Sequence, residues 1–255
     1  MMSEEPKIKE LETKDISDVV ELVRNSFHEN YIIPSIYRGK GIAEFISNEL
    51  ENKFTAYKYF VLKIKDKVAA FAEFKIFKNI NMVFLNIIAV SNDYKNKKLG
   101  SKIFEYSRAY FQKNGFYSIE LDVYSSNSIA INWYKNYGFQ SFNLNSFYEI
   151  ELNVVDISIN ESDIYIKNFP QYKEMKRVYG FYFLDINIEN KNFKLGLIGN
   201  DLFIRGDYDK FVYPYLTNIK RNLGINKIYY IGSEYQFSEL KLIDKIERMG
   251  LNIKL

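Results

Sequence analysis

The sequence predicts an α/β protein built on a mixed sheet. Three observations carry that expectation. Three β-rich segments follow one another with short polar breaks, the pattern of an antiparallel meander. The third is followed by a helix and a further strand, the right-handed crossover unit that makes two strands parallel. The same order of segments returns in the second half of the 255-residue chain, a length that allows one large domain or two small ones.

The elements follow in order. Ile16, Val19, Val20, Val23 and Phe27 recur at helical spacing, with Thr13 or Asp15 able to cap the start, so a first amphipathic helix is expected there. Ile42, Phe45, Ile46 and Leu50 place a second helix after Gly39 and Gly41, ending near Lys53. Tyr59 to Lys65, Val68 to Phe77 and Met82 to Val90 form the meander. A helix from about Gly100 to Asn114 stops at Gly115, a residue suited to a left-handed C-terminal position, and the strand Ser118 to Tyr124 comes next. Asn127 caps a helix from Ser128 to Tyr137, Gly138 ends it, and a strand runs from Phe139 to Leu152.

In the second half, Phe181 to Asn187, Phe193 to Gly199 and Asp201 to Arg205 read as another meander. A helix up to Asn222, the strand Asn226 to Ile231, a helix Ser238 to Met249 and a short terminal strand complete the expectation. Two short echoes support a duplicated unit: residues 113–123 resemble 222–231, and 134–139 resemble 246–251. The alternative is two ordinary α/β segments whose helices both end in glycine.

Composition excludes several chemistries. Without cysteine there are no disulfides, thiolate zinc sites or cysteine nucleophiles, which suits a reducing compartment. A histidine triad or multi-histidine metal site would have to rest on His28. The formal charge of +3 is shared between the halves, so neither reads as a nucleic-acid module. The polar, acidic N-terminus and the lack of any uninterrupted apolar run near about 18 residues point to a cytoplasmic protein without a membrane segment.

The informative segment is residues 86–103, where a strand enters a basic loop and then opens a helix. Unpaired amides at a helix start, at the positive end of its dipole, are acceptor-seeking groups that a pyrophosphate satisfies, and Lys95, Lys97, Lys98 and Lys102 add charge. The stretch Lys95-Asn96-Lys97-Lys98-Leu99-Gly100 resembles the acyl-CoA loop of the GNAT superfamily of N-acyltransferases, whose pattern is Gln or Arg, two residues, Gly, one residue, then Gly or Ala. Lys95 replaces the usual Arg or Gln, and Lys98 replaces the first Gly, where its side chain either obstructs the phosphates or binds them. A second signature, L-D-V-Y-S-S-N-S-I-A-I-N-W-Y-K-N-Y-G-F at 121–139, is similar to the pattern L-x-V-x-x-x-N-x-x-A-x-x-L-Y-x-x-x-G-F of the same family. In style it is nearest the branch that acetylates ribosomal-protein and other polypeptide N-termini. The resemblance covers roughly residues 7–150.

The resemblance implies a GNAT fold over residues 1–152 and a degenerate GNAT-like unit without a cofactor loop over 153–255, where Asp207 and Asp209 stand at the loop position. It implies acetyl-CoA as co-substrate, no metal, and direct attack of a primary amine, from a peptide N-terminus or a small molecule, on the thioester. Backbone groups of Ile88, Ala89 and Val90 would hold the pantetheine arm, and Lys95, Asn96, Lys97, Lys98, Leu99, Gly100 and Ser101 the pyrophosphate. Asn127 would cap its helix and hydrogen-bond the cofactor. Tyr134 would be the general acid. Its competing role is packing, since Ala130, Trp133, Tyr134 and Tyr137 share one helix face.

Family members often carry a glutamate on the fourth strand, where this chain has Phe84, Asn86 and Ile87. Glu73 on the preceding strand is therefore taken as the base, with Glu120 and Asp122 as alternatives. Residues 28–41 and 141–149 are expected to line the acceptor site of a monomer or homodimer. Two other readings stay open: a non-catalytic acyl-CoA-binding or regulatory protein of the same fold, and an unrelated α/β nucleotide-binding module.

Overall fold

A computed structural model of the protein describes residues 5–152, 164–206, 212–234 and 239–254. Strand β1 (Lys7–Glu10) leads into α1 (Ile16–Ser26), which buries Ile16, Val19, Val20, Leu22 and Val23 along one stripe. The short α2 (Glu29–Ile32) and α3 (Ile42–Glu51) follow. Strands β2 (Tyr57–Ile64), β3 (Lys67–Phe77) and β4 (Met82–Val90) pair antiparallel as the predicted meander. Helix α4 (Leu99–Lys113) is followed by Gly115 at φ +81°, and β5 (Ser118–Tyr124) returns parallel to β4. Helix α5 (Ser128–Asn136) and β6 (Gln140–Ile150) close the first half.

The second half runs β7 (Ile164–Ile166), α6 (Phe169–Val178), β8 (Phe181–Ile188), β9 (Lys191–Ile198), β10 (Asp201–Arg205), α7 (Tyr213–Leu223), β11 (Lys227–Gly232) and β12 (Leu240–Asn252). Among the described residues the sheet holds twelve strands in the order β1-β2-β3-β4-β5-β12-β6-β11-β10-β9-β8-β7. The order is a palindrome. Each half contributes five consecutive strands, and each lends its last strand across the midline: β12 pairs with β5, and β6 pairs with β11. The two lent strands pair with each other in the centre.

The helix expected over Ser238 to Met249 is instead the thirteen-residue strand β12, which absorbs the short terminal strand as well. The misleading signal has a physical cause. A bulge at Ile243 sets Leu242 opposite Tyr148 and Asp244 opposite Phe147, so the inside-outside alternation changes phase. Ile246 then packs into the core under α1, whereas Met249 and Leu251 pack under α4 and α5. Burial on both faces removes the period of two, and the remaining apolar spacing imitates a helix. The echo between 134–139 and 246–251 fails with it, because the first is a helix end and the second lies within a strand. The other echo has a structural counterpart: Gly115 and Gly224 both take positive φ between a helix and a parallel strand.

Helices cover both faces. On one, α1 and α3 pack over β2 and β3 and reach Phe147, Phe181, Phe203, Tyr229 and Ile231, so a single core joins the halves. On the other, α4 and α5 cover β2 to β5, while α7 covers β8 to β11. The turn before α3 is pressed against the second half: Gly41 N–H donates to the Tyr179 carbonyl at 3.0 Å, and a Cβ on Gly41 would lie 2.2 Å from the Val178 carbonyl oxygen. No helix among the described residues is long and apolar enough to cross a membrane.

Candidate active site

The site begins where β4 and β5 part. Their parallel register covers only Met82 to Leu85 against Ser118 to Leu121. At that point β4 carries a bulge: Glu73 faces Ile87 and Phe74 faces Leu85, leaving Asn86 as the extra residue. Beyond it, the β5-facing amides and carbonyls of β4 have no strand partner. The corresponding pair in the second half does not diverge, since β10 and β11 stay in register from Asp201/Lys227 to Arg205/Ile231.

The divergence opens a cavity of about 370 Å³, walled by Ile87, Ile88 and Val90 of β4, Gly100 of α4, and Asn127, Ala130, Trp133 and Tyr134 around α5. Ala89 turns the other way, into the core under α1. Asn127 Oδ1 accepts from Ala130 N–H at 3.2 Å, so it caps α5 while lining the cavity. Tyr134 is nearly buried, and its hydroxyl has no hydrogen-bond partner among the described residues. Burial alone pushes its pKa upward, which keeps the proton on the phenol at neutral pH.

The basic loop lies beside this cavity. Lys95, Asn96, Lys97 and Lys98 are exposed; Leu99 is buried, leaving only its backbone for a ligand. Lys98 sits at φ +55°, ψ 24° and Asn96 at φ +62°, so both adopt the left-handed conformation. That explains the family preference for glycine at the position of Lys98. Gly100 packs against Val90, where an added Cβ would sit 3.5 Å from Cγ2. The Ser101 hydroxyl accepts from Trp133 Nε1 at 3.3 Å, which ties the loop to α5.

A second cavity of about 300 Å³ adjoins the first, sharing Tyr31, Asn86, Ile87, Asp122 and Tyr124 with it. Glu73 lies in its wall, 4% exposed, with Tyr37 Oη donating to Oε2 at 2.6 Å and Asn86 Nδ2 donating to Oε1 at 2.9 Å. Desolvation raises its pKa against the opposing pull of these two hydrogen bonds. Of the alternatives, Asp122 lines both cavities but is held by a two-point ion pair with Arg248, both distances 2.8 Å, and Glu120 lines neither. His28 caps α2, its Nδ1 accepting from Asn30 N–H at 3.3 Å, and lines neither cavity.

Residues 31 and 34–37 line the second cavity as expected of the 28–41 segment. None of 141–149 does; that wall is made by Tyr124, Arg205, Ile231 and Ile246. Tyr37 and Arg205 carry no motif and Tyr124 stands at an unspecified position of the second signature, whereas Asn86 had a visible signal as the single polar residue in an apolar strand. The expected acidic loop at Asp207 and Asp209 lies outside the described residues.

Comparison with known proteins agrees with this geometry. Residues 44–139 match the acetyltransferase (GNAT) family. No curated protein matches the chain. Among solved structures, a tandem GNAT protein from the clavulanic acid biosynthesis pathway superposes with a TM-score of 0.71 over 98% of this chain and 99% of its own, at 8% identity. A candidate acetyltransferase from Pyrococcus horikoshii gives a TM-score of 0.67 over 99% and 91%, at 14% identity. At such identities the likeness is one of fold. Residues 44–139 are thus similar to the acetyltransferase (GNAT) family, and the fold as a whole is like that of a tandem GNAT protein.

Proposed function

We propose that the protein transfers the acetyl group of acetyl-CoA to a primary amine, with residues 1–152 as the catalytic unit and 153–255 as a degenerate partner that binds no cofactor. The observation that carries this reading is the divergence of β4 from β5, which leaves a strand edge, a helix start and Tyr134 around one cavity in the first half. In the second half the equivalent strands stay paired.

The free edge of Ile88 to Val90 binds the pantetheine arm, and the amides of residues 99–101 with Lys95, Lys97 and Lys98 bind the pyrophosphate. Asn127 adds a hydrogen bond. The acceptor enters through the second cavity. Its neutral nitrogen attacks the thioester carbon; the C–N bond forms and the C–S bond breaks, with the electron pair leaving on sulfur. Glu73, directly or through one water, takes the proton shed by the nitrogen, and Tyr134 supplies one to the thiolate. A phenol with an ordinary pKa near 10, raised further by burial, is protonated whenever a thiol of pKa about 8.5 leaves as thiolate.

Acetyl-CoA at 100 times its dissociation constant should stabilise the protein by about 2.7 kcal/mol, visible as a raised Tm. Tyr134→Phe should lower turnover by about 10²-fold with unchanged acetyl-CoA affinity, because it removes a proton donor and almost no packing surface. Equal turnover would make Tyr134 a packing residue. The non-catalytic reading draws on Lys98 at the family's glycine position; binding of acetyl-CoA without thiol release on any amine would favour it.

A further inference from the structure

The second cavity is lined by one cationic side chain, the exposed Arg205, which forms no ion pair among the described residues. Arg205 ends β10, reaches across the midline, and donates from Nη2 to the Pro34 carbonyl at 3.2 Å. No carboxylate pairs with it among the described residues. Three other guanidiniums are held by carboxylates: Arg38 by Asp201 at 2.7 Å, Arg177 by Glu174, and Arg248 by Asp122. A guanidinium carries five N–H donors in a fork that matches a carboxylate, so most of the donors of Arg205 remain available.

Of the acids of the same cavity, Asp122 acts on Arg205 only through space, and neither it nor Glu73 hydrogen-bonds it. Both oxygens of Glu73 accept from Tyr37 and Asn86, and both of Asp122 accept from Arg248. A second unanswered group lines the same cavity: the Tyr124 hydroxyl is buried without a hydrogen-bond partner. Its ring is fixed by stacking on Tyr31, centroids 4.6 Å apart. Ile87, Ile231 and Ile246 supply apolar wall around them.

We propose that the acceptor is a small amine bearing a carboxylate, such as an amino acid, and that Arg205, with the Tyr124 hydroxyl, receives that carboxylate while the amine points toward Glu73. The inference rests on the acetyl-transfer reading and names its substrate class. A cavity of about 300 Å³ is at the small end of ligand sites and fits an amino-acid-sized molecule. It also gives the second half a task in catalysis, since Arg205 belongs to that half.

The test measures thiol release at saturating acetyl-CoA with α-amino and ω-amino acids, each paired with its own carboxamide. Wild type should prefer the carboxylates by at least about 10-fold in kcat/KM. Arg205→Gln should raise KM for carboxylate acceptors by about 10- to 100-fold, act little on kcat, leave acetyl-CoA affinity unchanged and erase the preference; Arg205→Lys should restore part of it. Equal use of both members of each pair overturns the proposal, as does an unchanged preference in a folded Arg205→Gln variant. So does a wild-type protein that binds acetyl-CoA yet acetylates none of these acceptors. Should Arg205→Gln fail to fold, the paired comparison in wild type decides alone. Absence of acetyl-CoA binding by calorimetry counts instead against acetyl transfer itself.

Discussion

Lys98 holds a left-handed backbone conformation that costs a side-chain-bearing residue about 1 kcal/mol relative to glycine. Lys98→Gly should therefore raise stability by up to about 1 kcal/mol, reduced by the greater freedom glycine has in the unfolded chain, and thermal melting reads the change. Its exposed ammonium is free to reach a phosphate, so the same variant should bind acetyl-CoA more weakly and with a shallower salt dependence. Tighter binding would instead identify the side chain as an obstruction. Glu73 gives a prediction in pH. Burial raises its pKa, so the folded protein holds this proton more tightly than the unfolded chain. That contribution to stability is full below the ordinary carboxylate range and is lost as pH climbs through the folded pKa; on the proposal that Glu73 is the base, turnover should rise over the same window. Glu73→Gln should abolish that part of the pH dependence, leave the melting temperature at neutral pH unchanged or higher, and lower kcat by about 10²-fold. The residues with family motifs around them, Asn127 and Tyr134, were legible in the sequence. Tyr37 fell in the 28–41 segment and Tyr124 at an unspecified position of the second signature, so their places but not their roles were legible; Arg205 was not, because it reaches the site from the other half.

At the scale of elements, regular periodicity was readable and its interruptions were not. Helix α4 and β5 follow their apolar spacing closely, since each is buried on a definite face, while β3, buried on both, reads as a near-continuous apolar run. The bulge at Asn86 shows only as one polar residue in an apolar strand and that at Ile243 not at all, yet the first starts the divergence of β4 and the second brings Ile243 and Ile246 into one core. A further element-scale feature is the contact of Gly39 and Gly41 with the end of α6. Gly39 has no room for a Cβ either, which would lie 2.5 Å from Phe181 Cδ1 and 2.6 Å from the Tyr179 carbonyl oxygen. Gly41→Ala forces the backbone of the two halves apart, and we expect a loss of about 1–3 kcal/mol of stability. Because the same turn follows the 31–37 segment that lines the second cavity, the proposal that the acceptor enters there predicts a raised KM for the acceptor with acetyl-CoA affinity near wild type. An unchanged melting temperature in Gly41→Ala would show that this contact yields without cost.

For the molecule as a whole, the reciprocal loan of β6 and β12 makes the halves interdependent. Removing residues 154–255 takes β12 from between β5 and β6 and leaves long unpaired edges in what was the middle of the sheet. The truncated chain should be insoluble or inactive, and the intact chain should unfold in one transition with matching calorimetric and van't Hoff enthalpies. A soluble truncated form with wild-type kinetics would establish the second half as an independent module. None of this exchange was legible beforehand, because pairing between residues such as Asp122 and Arg248, 126 positions apart, leaves no local pattern. The same separation bears on biosynthesis. While the chain is still being translated, β5 and β6 are complete but must wait about a hundred residues for β12, which at common ribosomal speeds is about 5–20 s. Over that interval the nascent chain displays two open strand edges that an adjacent copy on the same message could fill. The first cavity takes none of its wall from the 240–252 segment, whereas the second cannot be finished before Ile246 has emerged.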